Sequence, residues 1–198
     1  MLSQSWEEKD DPTTSFKIFD FNAKHHDGGA VTERGGGVKP VVAILMGSDS
    51  DLEQLKPCGA ALREFGVPYE AKVLSAHRTP KETIDYALAA KANGIKVLIA
   101  AAGGAAHLAG VVAANTDLPV IGIPIESPSF KGLDSLLSTV QMPAGTPVAT
   151  VAVGSGGAKN AAYLAIRILA LNDAGLAEAL KNFKEKNKQK ILGKQIEL

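Results

Sequence analysis

Between Pro40 and Val153 the chain alternates five short apolar runs with stretches of helical period, and this alternation restricts the fold more than any other feature. The runs are "VVAILM" (41–46), "PYEAKVL" (68–74), "IKVLIAAA" (95–102), "PVIGIP" (119–124) and "PVATVAV" (147–153). Short runs of this kind, rich in Val and Ile, suit strands buried on both faces of a parallel sheet.

The segments between them read as helices. Leu52, Leu55, Gly59, Leu62 and Phe65 recur at helical spacing, with Pro57 expected to kink that helix or delay its start. Pro80 suits the first position of a helix over 80–94, where its missing N–H costs nothing. A short helix is predicted over 107–115, another near Leu133–Val140, and a third from "GSGGAKN" (154–160) to about Leu171. A last amphipathic helix carries Leu176, Leu180 and Phe183. Strands alternating with helices imply an α/β fold: a three-layer α/β/α sandwich with a central parallel sheet, flavodoxin- or Rossmann-like. Ligands on such sheets bind beyond the carboxyl ends of the strands, so the loops at that edge are the places to look for chemistry.

The pattern stops upstream of residue 39. Residues 1–38 include "HHDGGAVTERGGG" and read as a mobile tail with a Gly-rich linker, leaving 39–198 as a single domain with C-terminal helices from about 158. His25 and His26 lie side by side in that tail, without the partners a metal site needs. Lys+Arg and Asp+Glu balance at 21 each and aromatics are only 5%, which argues against nucleic acid and anionic membranes as partners. Cys58 is the sole cysteine, so no internal disulfide is possible; this argues against a Cys-built metal site, and the residue reads as a small core hydrophobe. The acidic opening "MLSQSWEEKDDPTTSF" resembles neither a secretory signal nor a transit peptide. The most apolar stretch, "VLIAAAGGAAHLAGVVAA", is broken by Gly-Gly and His. A cytoplasmic protein is expected.

Three loops at the predicted sheet edge carry chemistry-capable residues. In "MGSDSD" (46–51), Ser48, Ser50 and the helix-start amides can take an anion and Asp51 can accept hydrogen bonds from sugar hydroxyls; ordinary helix capping would use the same residues. Asp49 and Asp51 fall short of a calcium loop, which needs a glycine and a distal glutamate. "SAHRTP" (75–80) places Ser75, the proton carrier His77 and the permanent cation Arg78 together, although an exposed surface pair would look the same. "AAGGAAHLAG" (101–110) offers open backbone at Gly103 and Gly104, with His107 as helix start or catalytic group. "GSGGAKN" lacks both the Walker pattern and the dinucleotide glycine fingerprint, and no Ser-His-Asp order or HExxH is present.

Taken together, "MGSDSD", "SAHRTP" and "GGAAHLAG", in this order and spacing, closely resemble the N5-carboxyaminoimidazole ribonucleotide mutase family (the PurE family, class I) of purine biosynthesis. The likeness extends through "LPVIGIPIES", "GLDSLLSTVQMPAGTPVATVAVG" and "GAKNAAYLAIRILAL", over roughly 40–172. It implies transfer of a carboxyl group from N5 to C4 of an aminoimidazole ribonucleotide, through decarboxylation and recarboxylation with CO2 held in the site, and with no ATP, metal or organic cofactor. His77 would be the general acid and base; Ser50, Ser75 and Arg78 would hold the phosphate, and Asp51 the ribose hydroxyls. Ser48 and the loop residues Gly103, Gly104, Ala105, His107 and Leu108 would face the ring and CO2.

The resemblance further implies a homo-octamer with sites shared between subunits. A carboxylase branch of the family, using CO2 directly, carries lysine after "SAH", so Arg78 favours the mutase. A non-catalytic ribonucleotide-binding module is the alternative of another class. The chain departs from the family pattern at Ala101, where glycine is expected, at Ala109, where proline is, and at Val111, where methionine is.

Overall fold

The computed structural model describes residues 39–196; the predicted tail of 1–38, with His25 and His26, lies outside the described residues. Five parallel strands form one sheet in the order β2-β1-β3-β4-β5. They are β1 (Val42–Met46), β2 (Tyr69–Val73), β3 (Val97–Ala102), β4 (Val120–Pro124) and β5 (Ala149–Thr150). The helices are α1 (Leu52–Glu64), α2 (Pro80–Ala90), α3 (Leu108–Ala113), α4 (Leu133–Val140), α5 (Gly154–Ala170) and α6 (Ala174–Leu192). The expected three-layer sandwich is the one observed.

Side-chain alternation along the strands divides the core. Val42, Ile44, Met46, Val97, Ile99, Ala101, Ile121 and Ile123 meet α1 and α5 on one face. Ala43, Leu45, Leu98, Ala100 and Val120 meet α2 and α3 on the other. Gly122 lies on this second face, where only a hydrogen leaves room for Thr139 of α4 and for Val148. Burying a side chain the size of Leu45 or Ile99 completely contributes about 1.5–3 kcal/mol. Phe183 of α6 packs edge-on to Phe65 (5.4 Å between ring centroids) and lies 4.9 Å from Tyr163, pinning α6 to α1 and α5.

Burial on both faces was expected of all five strands and holds for three. β1 and β4 are buried throughout and β3 up to its last residue, whereas the edge strand β2 is half-buried along Tyr69–Lys72 and exposed at Val73. β5 was expected over 147–153 and is reduced to two residues. It has only one neighbouring strand and Pro147 has no N–H to offer; beyond it the Ala152 carbonyl is packed directly under Gly157 as the chain enters α5. Pro57 does not delay α1, which follows a 3-10 turn at Asp49–Asp51 and runs unbroken past the proline. The lost bond from its position to the Glu53 carbonyl is tolerable because Glu53 is exposed to water, while Leu55, Cys58 and Leu62 anchor the helix in the core. The helix expected to open at "GSGGAKN" does so: α5 begins at Gly154, the first residue of that stretch.

Ala101 and Ala109, two departures from the family pattern, are both buried. Ala101 sits between Met46 and Ile123 in the sheet, and Ala109 packs in the α3 layer. Their methyl groups are therefore part of the core rather than of any ligand-facing surface.

Candidate active site

Because β1 lies between β2 and β3, the segments following these neighbouring strands, together with the one following β4, meet at the carboxyl edge of the sheet. They enclose a cleft of about 490 Å³. All eleven residues singled out from the sequence line it: Ser48, Ser50, Asp51, Ser75, His77, Arg78, Gly103, Gly104, Ala105, His107 and Leu108.

After β1, the Ser48 hydroxyl caps the 3-10 turn by accepting from the Ser50 amide (3.3 Å) and from the Ser50 hydroxyl (2.9 Å). The turn carries Asp51 inward until it is only 8% exposed. Burial pushes its carboxyl above the ordinary aspartate value; the hydrogen bond from Ser50, one involving the Ser48 backbone and the nearby Arg78 charge pull the other way.

After β2, Ser75 and Thr79 lock the turn into α2. The Thr79 hydroxyl accepts from the Ser75 amide (2.9 Å) and donates to the Ser75 carbonyl (3.2 Å). The Ser75 hydroxyl in turn accepts from the Arg78 amide (3.2 Å) and from its Nε (3.4 Å). Arg78 reaches across to donate to the Gly47 carbonyl, which ties the second loop to the first. A guanidinium has further donors, so this leaves a fixed cation able to meet an anion beside Ser48, Ser50 and Ser75.

After β3, Gly104 adopts φ +62°, a conformation that favours glycine, and its turn delivers His107 to the start of α3. His77 Nε2 and His107 Nδ1 are 2.8 Å apart, with the rings nearly perpendicular at 83°. Both imidazoles stand at the open side of the cleft.

The fourth loop was not recognised from the sequence as part of the site. Ile125, Glu126, Ser127 and Pro128 also line the cleft. Gln54 clamps this loop by donating to the Glu126 carbonyl (3.3 Å) and accepting from its amide (3.1 Å). Ser127 donates to Asp134 at 3.2 Å, and Ser135 to the Ile125 carbonyl at 2.8 Å. Its residues resemble an ordinary polar turn; the only available signal was position, since the loop follows a buried strand at the ligand-binding edge. "GSGGAKN", by contrast, contributes nothing to the cleft. Among the described residues no cluster of His, Cys, Asp and Glu is arranged to hold a metal ion, and no helix is long and apolar enough to cross a membrane.

Residues 41–190 match the family model described as AIR carboxylase. The chain belongs to that family. Among curated members, the N5-carboxyaminoimidazole ribonucleotide mutase of Pyrococcus horikoshii is 55% identical over 153 residues, covering 77% of this chain and 85% of its own length. The enzyme of the same name from Bacillus subtilis is 54% identical over 155 residues, covering 78% and 96%. The phosphoribosylaminoimidazole carboxylase of Saccharomyces cerevisiae is 50% identical over 157 residues, but these amount to 27% of that longer protein. Among solved structures, Treponema denticola PurE superposes with a TM-score of 0.70 at 35% identity, covering 77% of this chain and 94% of that one. The AIR carboxylase family match begins at Val41, so residues 1–38 lie outside it.

Proposed function

We propose that this protein is an N5-carboxyaminoimidazole ribonucleotide mutase of purine biosynthesis, an isomerase acting on a small ribonucleotide. The observation that carries the reading is the convergence of His77, Arg78 and the three serine hydroxyls in one cleft of a chain that matches named mutases along most of their length.

Loss of CO2 from the N5 carbamate leaves the bonding pair on nitrogen, which takes a proton. Attack of C4 on the retained CO2 leaves a ring proton to be removed. A single imidazole, His77, can give the first proton and take back the second, so the cycle consumes none. Keeping CO2 in the cleft makes the second step effectively intramolecular. Arg78, Ser50 and Ser75 hold the phosphate, Asp51 the ribose hydroxyls, and Ser48 with the Gly103–Leu108 loop faces the ring and CO2. The working protein is a cytoplasmic homo-octamer, with 39–198 as its mutase domain.

The similarity to the yeast carboxylase supports a second reading, direct carboxylation of the aminoimidazole by CO2. Turnover of the N5-carboxylated ribonucleotide, without ATP or metal, separates the two. Wild type should form the C4-carboxylated isomer, and His77→Asn should retain the ribonucleotide but lose about 100-fold or more in kcat. Product formed only from the decarboxylated ribonucleotide plus CO2 would assign the carboxylase; unimpaired turnover by His77→Asn would dismiss His77 as the proton carrier.

A further inference from the structure

The contact between His77 and His107 specifies more than proximity. Two ring nitrogens 2.8 Å apart need one proton between them, carried by one ring and accepted by the other. His77 Nδ1 has no hydrogen-bond partner among the described residues, and neither has His107 Nε2. The direction of donation is therefore set by the work His77 has to do.

We propose that His107 is a positioning residue: its Nδ1 accepts the Nε2 proton of His77 and leaves His77 Nδ1 as the nitrogen that exchanges protons with the substrate. This rests on the mutase reading for the role of His77. As the imidazolium, His77 bears a proton on each nitrogen, Nε2–H pointing to His107 and Nδ1–H to the substrate. When the N5–carboxyl bond breaks, its electron pair stays on N5 and takes the Nδ1 proton, and CO2 is released. His77 is then the neutral Nε2–H tautomer, with its contact to His107 unchanged. After C4 bonds to CO2, the C4 proton moves to Nδ1 and its electron pair returns to the ring.

Donation in the opposite direction would place two protons between the rings whenever His77 is charged, so the contact would break in every cycle. With His107 accepting, it survives both states. His107 satisfies this by carrying its own proton on Nε2. The left-handed turn at Gly104 that delivers His107 to the start of α3 thus serves the tautomer of a residue on another loop.

The test has two arms. Nitrogen-15 NMR of the labelled, ligand-free protein should show neutral His77 protonated at Nε2 and bare at Nδ1; the opposite tautomer overturns the proposal, whatever reaction the enzyme performs. In kinetics, His107→Leu should lower kcat by about 10- to 100-fold, the usual cost of losing a group that orients another, with KM unchanged. His107→Asn, whose Oδ1 stands where Nδ1 stood, should recover most of the loss. An unchanged kcat in His107→Leu, or a raised KM with kcat intact as a substrate-binding role would give, also overturns it. Absent wild-type turnover would instead count against the mutase reading and leave the tautomer result standing.

Discussion

Two adjacent glycines at the start of α5 should respond to the same substitution with opposite signs. A Cβ on Gly157 would lie 1.5 Å from the Ala152 carbonyl oxygen and 2.5 Å from its carbon, far inside the 3.0 Å below which something must shift. Both obstructing atoms are backbone, so no rotamer change relieves the clash. The helix start would have to retreat by more than an ångström, yet Ala158, Ala161, Ala162 and Ala165 are fully buried in the core that also holds Cys58 and Leu62 of α1. Gly157→Ala should accordingly cost about 3–5 kcal/mol, more than ordinary overpacking. At about 2–4 °C per kcal/mol for a chain of this size, the melting temperature falls by about 6–20 °C. Gly156 has open space at its Cβ position, so Gly156→Ala should gain about 0.5–1 kcal/mol by restricting the unfolded chain and favouring helix. Thermal melts of the three proteins at one protomer concentration provide the comparison. Equal melting temperatures for wild type and Gly157→Ala, or a destabilised Gly156→Ala, would refute the close packing of α5 on the end of β5.

Arg78→Lys keeps the charge but loses the planar fork that bonds Ser75 and Gly47, so KM for the ribonucleotide should rise by about tenfold; an unchanged KM in steady-state kinetics would remove Arg78 from phosphate binding. Burial raises the Asp51 pKa above 3.8, so the folded state holds its proton more tightly than the unfolded state. The resulting stabilisation is complete below 3.8 and lost as pH rises through the folded value. Asp51→Asn should therefore melt above wild type at pH 7, lose that advantage in acid and bind the ribonucleotide more weakly; a lower melting temperature at pH 7 would show that the Ser50 and Arg78 interactions outweigh burial.

The central sheet was legible because β1, β3 and β4 are flanked by partners on both faces and so repeat the same apolar demand at each position. The edges were less so. Tyr69 to Val73 and the residues around Ala149 meet a strand on one side only, and there turn geometry, not hydrophobicity, decides where pairing ends. The cleft residues were legible because Ser, Asp, His and Arg stood out against small apolar neighbours. Gln54 was not, since its hydrogen bonds to Glu126 join positions 72 residues apart. The pairing of His77 with His107 was equally invisible: each is merely one histidine in its loop until α2 and α3 are laid side by side.

The strand order also dictates when the cleft can exist. Val42 pairs with Val97, and Ile44 with Ile99, so β1 finds its second neighbour only after the intervening α1, β2 and α2 have been made. Closing such distant contacts is slow compared with forming a helix. A chain emerging from the ribosome therefore has "MGSDSD" and "SAHRTP" in hand well before it has a site. It can neither capture the nucleotide nor be rescued by it until β3 is inserted and the fourth loop has docked on Gln54. A ribonucleotide added during refolding should leave the early phases untouched and act only on the last, when the three loops first face one another.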